Sequence, residues 1–114
     1  MDWSKVELTL VDERWVDAKN EDSNELLVRK HLIKNKATQI NFLPIKNSAK
    51  SAKEGQILYE QVLQQLKLPI DVIVLGMGDD GHTASLFPCS KELSQAMDPS
   101  NQQKCIVTLS LIHI

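Results

Sequence analysis

DVIVLGMGDDGHTASLFP, residues 71–88, decides how this chain is read. Val72, Ile73, Val74 and Leu75 form a short apolar, β-branched run, the pattern of a buried strand. The run leads directly into a loop holding Gly76, Gly78 and Gly81, with Asp79, Asp80 and His82 among them. Two carboxylates and an imidazole at the carboxyl end of a strand stand where open α/β sheets bind ligands, because the strand fixes the loop beside a crevice.

Outward from that loop the chain alternates strand and helix patterns. Residues 6–11 alternate apolar and polar (Val6, Leu8, Leu10 against Glu7 and Thr9) and predict a strand ending at Asp12, Glu13 and Arg14, with Trp15 and Val16 anchoring its exit. Ser23 or Asp22 predicts a helix N-cap, with Glu25 set for a capping box behind Asp22, and helix runs to about Lys34. Its expected apolar face gathers Leu27, Val28, His31 and Leu32, widened by Leu26 and Ile33. Residues 40–45, interrupted by Pro44, predict an edge strand or an extended connection. Residues 48–66 predict the longest helix, faced by Ala52, Ile57, Leu58, Val62, Leu63 and Leu66, weakened at Gly55 and ended ahead of Pro69. A short helix around 92–97 and a last strand over 105–109 complete the pattern. This rhythm is that of an α/β sheet with helices on its faces.

A length of 114 residues suits one modest domain, and 42% hydrophobic with 25% charged residues is ordinary for a soluble protein. A net charge of −2 without a basic run argues against nucleic acid and against an acidic membrane surface. The amino terminus lacks the apolar core of a signal peptide, and no apolar run approaches the ~20 residues of a membrane span, so the expected location is the cytoplasm. Cys89 and Cys105 have no Cys-x-x-Cys spacing and are expected to be reduced.

Gly76-Met-Gly-Asp-Asp-Gly81 matches the dinucleotide pattern G-x-G-x-x-G but fails it physically. Two carboxylates stand where a pyrophosphate would approach, and Pro88 follows where a helix should continue. No acidic residue ends a following strand about 20 residues on. Asp80 and His82, two apart, are set instead to converge in a turn, where the carboxylate would hold the imidazole as a general base. Thr83 and Ser85 add hydroxyls, and N–H groups near the glycines offer an anion site. A polar turn whose aspartates merely cap it is the competing reading. Arg14 either stabilises a developing negative charge or pairs with a surface carboxylate; Lys46, Lys50 and Lys53 read as a solvated side.

Two stretches together resemble one family. LGMGDDGHTASLFP (residues 75–88) resembles the signature loop of the 6-phosphogluconolactonases, and VDERWV followed by DSN (residues 11–16 and 22–24) is similar to their second signature. The resemblance implies a three-layer, Rossmann-like parallel α/β sheet with helices on both faces, here incomplete at both ends. Residues 1–108 would be the central part of one such domain, and 109–114 a foreign or frame-shifted tail. It implies hydrolysis of 6-phospho-D-glucono-1,5-lactone, a small sugar-phosphate lactone, without metal or organic cofactor. His82 would be the base that activates water, Asp80 its orienter, and Arg14 the charge stabiliser. Gly78, Asp79, Gly81, Thr83 and Asn24 would line the substrate. Oligomeric state is left open, with a monomer as the default. The related glucosamine-6-phosphate deaminases carry a glutamate where this chain has Phe87, so they are the alternative, beside a catalytically silent fragment or binding module of the same fold. The family's glycine- and serine/threonine-rich phosphate loop is expected upstream of Met1, so the 114-residue polypeptide alone is expected to be a poor enzyme.

Overall fold

A computed structural model describes residues 1–109 and resolves two compact units, one over Met1–Lys67 and one from Leu68 onward. In the first, strand β1 (Glu7–Thr9) is followed by helix α1 (Asn24–His31), strand β2 (Asn41–Leu43) and helix α2 (Ala52–Leu63). Short 3-10 helices precede β1 (Trp3–Lys5) and β2 (Asn35–Gln39). The strands pair in parallel, Glu7 with Asn41, Leu8 with Phe42 and Thr9 with Leu43. A parallel pair needs a crossover, and α1 with its following turn supplies it.

Alternation along the strands places the helices on opposite faces of the sheet. The Thr9 hydroxyl donates to Leu43 O at 2.8 Å and lies 2.5 Å from the Tyr59 hydroxyl of α2. Phe42, pointing the other way from its neighbour Leu43, carries the guanidinium of Arg29 from α1 at 4.9 Å from its ring centroid. The same Arg29 pairs with the buried Glu25 one turn earlier at 2.9 Å. The α/β, Rossmann-like class expected of the chain is therefore present as one βαβ unit with a second helix.

The helix faces differ from those the apolar residues suggest. In α2 the buried stripe is Gly55, Tyr59 and Leu63, while Ile57 and Leu58 are exposed. Gly55 is required there because the indole of Trp15 lies where its β-carbon would be. A hydroxyl-bearing ring and a glycine thus mark the inner side, and neither registers as a strong apolar signal. In α1, Leu27, His31 and Leu32 are exposed, and the short crossover buries Ser23 and Glu25 instead. The start of α2 is set by Ser51, whose hydroxyl accepts from Glu54 N at 3.2 Å.

The second unit holds one short helix, α3 (Leu93–Ala96), within the expected range. Residues 72–75 are not a buried strand: they have no ladder partner among the described residues, and Val72 and Val74 are 78% and 82% exposed. Residues 105–109 likewise carry no strand. Apolar sequence predisposes a segment to extended backbone, but a strand exists only where a neighbour accepts and donates its hydrogen bonds. Residues 110–114, most of the expected tail, lie outside the described residues.

Candidate functional site

The loop of the second unit is built around a tight turn. Gly81 N donates to Gly78 O at 2.9 Å, putting Asp79 and Asp80 at the exposed tip, and Gly81 adopts φ +86°, a conformation that favours glycine. Gly78 N donates to His82 O at 2.8 Å. A β-carbon on Gly78 would overlap the imidazole of His82, whereas one on Gly76 would meet nothing. Two of the three glycines thus have separate structural reasons, one conformational and one steric. The N–H groups of Gly78 and Gly81 are thus both donated inside the loop.

Asp80 and His82 converge as their spacing suggests. One carboxylate oxygen of Asp80 accepts from His82 N at 3.1 Å and lies 2.5 Å from the ring Nδ1. Accepting that ring hydrogen bond holds the Asp80 carboxyl below its ordinary value of 3.8, with the backbone bond from His82 adding to the effect. Because the carboxylate only accepts, the neutral imidazole carries its hydrogen on Nδ1 and leaves the Nε2 lone pair outward. Phe87 packs on the ring, centroids 4.6 Å apart and planes at 38°. The imidazole is therefore held by a charge on one nitrogen and by an aromatic face.

Beyond His82 the chain reverses sharply. Thr83 and Leu86 form an isolated antiparallel bridge, and Ala84 and Ser85 between them adopt φ of +50° and +60°. Positive φ at both central positions is usual for Asn-Gly and costly for other residues, so nothing in Ala-Ser announces this turn. Among the described residues, the buried Thr83 hydroxyl has no hydrogen-bond partner. Among the described residues no helix starts at the third glycine, and the next one is α3 at Leu93, which removes the dinucleotide reading on structural grounds as well.

The second cluster belongs to the first unit and is assembled where β1 meets the start of α1. Arg14 Nη1 donates to Asp22 O at 2.9 Å and to Asn24 Oδ1 at 3.5 Å. Asn24 Nδ2 donates to Asp12 O at 3.2 Å and to Asp12 Oδ1 at 3.1 Å. The amide of Asn24 is thus committed at both ends to holding Asp12 and Arg14. Arg14 is exposed, and its partners are a carbonyl and an amide rather than the surface carboxylate considered from sequence. Trp15, next to it, is seated on α2 and carries Lys46 Nζ at 4.5 Å from its ring centroid, so Lys46 is not simply a solvated lysine.

Sequence reasoning missed Glu13. Its Oε1 accepts from Arg14 N at 2.8 Å and Asn24 N at 2.7 Å, and its Oε2 from Glu25 N at 2.8 Å and the Ser23 hydroxyl at 3.4 Å. Ser23 in turn caps Leu26 N at 3.1 Å. The first three N–H groups of α1 are thereby satisfied from inside the chain, and a negative charge already occupies the helix N-terminus. No local spacing rule finds a cap supplied from 11 and 12 residues upstream.

Among the described residues no group of three or more His, Cys, Asp and Glu gathers as a metal site, both cysteines are free, and no helix is long and apolar enough to cross a membrane.

Residues 1–111 match the family described as glucosamine-6-phosphate isomerases/6-phosphogluconolactonase. The chain is 49% identical over 106 residues to the 6-phosphogluconolactonase of Pseudomonas aeruginosa, covering 93% of this chain and 44% of that protein. It is 43% identical over 106 residues to the 6-phosphogluconolactonase of Rhizobium meliloti, covering 93% of this chain and 46% of that one. The crystal structure of a 6-phosphogluconolactonase from Shewanella baltica superimposes with a TM-score of 0.93 at 46% identity, over 98% of this chain and 47% of that one. The chain therefore spans about half the length of the relatives it matches.

Proposed function

Because the chain belongs to the glucosamine-6-phosphate isomerase/6-phosphogluconolactonase family, we propose that it carries catalytic residues for hydrolysis of 6-phospho-D-glucono-1,5-lactone to 6-phosphogluconate. The observation that carries this reading is the Asp80–His82 pair, with the carboxylate on Nδ1 and the ring backed by Phe87. In the proposed reaction, Nε2 of His82 takes a proton from water as the oxygen attacks the lactone carbonyl carbon. The tetrahedral oxyanion is stabilised by the positive charge of Arg14. Collapse breaks the bond to the ring oxygen, which leaves as an alkoxide and receives the proton from the imidazolium. Acid and ring-opened alcohol result, and the histidine is regenerated.

Asp80 keeps the ring in the tautomer that can act as base. Thr83 offers its unpartnered hydroxyl to a substrate oxygen, and Gly78, Gly81 and Asp79 shape the approach to the imidazole. Asn24 acts through Arg14, since its amide is already engaged. The reaction needs neither metal nor organic cofactor, and the chain is proposed as the central part, residues 1–108, of a single cytoplasmic, monomeric enzyme domain, with 109–114 as a foreign or frame-shifted tail.

The test is acid release from freshly prepared lactone, by the 114-residue polypeptide and by the same sequence carried to the length of its relatives. A rate above spontaneous hydrolysis in the longer protein, reduced at least ~100-fold by His82→Ala, is expected. Turnover that survives His82→Ala removes the histidine from the reaction. Ammonia release from glucosamine 6-phosphate would favour the deaminase chemistry, which the presence of Phe87 in place of a glutamate disfavours. No turnover of either compound leaves a silent member of the fold.

A further inference from the structure

The connection between β1 and α1 holds a residue that neither the expected catalytic set nor the capping rules include. We propose that Glu13 is a positioning residue for Arg14, acting through the start of α1; the consequence for catalysis rests on the lactonase reading above.

A carboxylate has about four lone-pair sites, and the four donors around Glu13 use both oxygens evenly: Arg14 N and Asn24 N on one, Glu25 N and the Ser23 hydroxyl on the other. The backbone of Arg14 and the first turn of α1 are thereby tied to a single rigid group. The guanidinium is held by the same segment, through Asp22 O at 2.9 Å and Asn24 Oδ1 at 3.5 Å. Both ends of Arg14, main chain and side chain, are referenced to residues 22–25, and Glu13 holds those residues against the exit of β1. Glutamine is not a conservative replacement. It keeps the shape but turns an NH2 group toward N–H donors, so one side of the clamp becomes repulsive. Aspartate keeps both acceptors on a shorter stem.

The arrangement also decides what the α1 N-terminus does. Helix N-termini attract phosphate through free N–H groups and the helix dipole. Here those donors are taken by Glu13 and the Ser23 hydroxyl and that field by the Glu13 charge, so the substrate phosphate is bound elsewhere and Arg14 is left for the reacting end.

The experiment has two arms. In the 114-residue chain, NMR follows the Arg14 side-chain Nε–H signal and the amides of Asn24 and Glu25, in wild type, Glu13→Gln, Glu13→Asp and Ser51→Ala. Ser51→Ala removes the cap of α2 and controls for a general loss of stability. Glu13→Gln is expected to shift the Arg14 signal, Glu13→Asp to restore it in part, and Ser51→Ala to leave it unchanged. In the longer protein, Glu13→Gln is expected to lower kcat/KM by about 100-fold, the scale of a displaced positioning group. Combined with Arg14→Ala, it is expected to add little to that variant's loss. An unmoved Arg14 signal in a folded Glu13→Gln, or losses that multiply in full in the double variant, overturns the proposal. Failure of the wild type to hydrolyse the lactone strikes the lactonase reading alone, because the NMR arm reads the positioning directly. Should Glu13→Gln not fold, Glu13→Asp carries the same two readouts.

Discussion

The indole of Trp15 occupies the place where a side chain on Gly55 would begin. A residue two positions beyond Glu13 is thereby clamped to α2, with Lys46 Nζ over its ring. The signature following β1 is thus held at two points, by Glu13 on α1 and by Trp15 on α2.

Gly55→Ala sets two effects against each other. Alanine favours a helix interior by about 1 kcal/mol over glycine. The overlap with Trp15 forces the ring out, losing its packing and its contact with Lys46, at a cost of roughly 1–3 kcal/mol. A net destabilisation of up to about 2 kcal/mol is expected in urea unfolding. A more stable Gly55→Ala would show that Trp15 does not sit where described.

Gly78 and Gly76 should part company in the same way. Gly78→Ala overlaps the imidazole and is expected to displace it from Asp80, changing the ring's NMR signals and cutting turnover by about 100-fold in an active protein. Gly76→Ala, with open space around its added carbon, should leave both unchanged. Equal effects at the two sites would refute the steric role assigned to Gly78.

The Asp80 carboxyl is held below 3.8 in the folded chain, chiefly by the hydrogen bond from the His82 side chain. A carboxylate with a depressed folded value contributes stability that is present above its unfolded value and is lost as pH falls through the folded one. The loop should therefore keep its Asp80–His82 link down through mildly acidic pH and release it only below 3.8. Carboxyl 13C titration reads this directly. In His82→Ala the Asp80 midpoint should climb back toward 3.8; an unchanged midpoint would exclude the imidazole as the cause.

Ala84 stands at φ +50° beside Ser85 at +60°, immediately after His82 and Thr83. Glycine tolerates that backbone, so Ala84→Gly is expected to make the turn more stable by up to about 1 kcal/mol despite glycine's greater freedom when unfolded. Hydrogen exchange at Leu86 N, which donates to Thr83 O at 2.8 Å, is the local measure. Slower exchange is expected; faster exchange would mean that the alanine is not strained.

How far the chain could be read depended on where each interaction's partner lies. Ser23 was legible because a cap and its N–H group are three residues apart, and Asp80 with His82 because a turn joins residues two apart. The strand pattern over 6–11 and the helix patterns over about 23–34 and 48–66, which contain the observed β1, α1 and α2, also arise from local periodicity. Glu13 on Asn24 and Trp15 on Gly55 span 11 and 40 positions, and no period in the sequence records them.

By itself the sequence determined the family, the strand–helix alternation, and the pairing of an aspartate with a histidine in a glycine turn. Those are properties of residue order, since local backbone preferences and short loops act within a few positions. Tertiary structure alone decided which helix faces are inward, which acid caps α1, and that residues 72–75 have no ladder among the described residues. Each of these is a contact with a distant segment. An apolar residue states only that burial is favourable, and the fold determines what it meets.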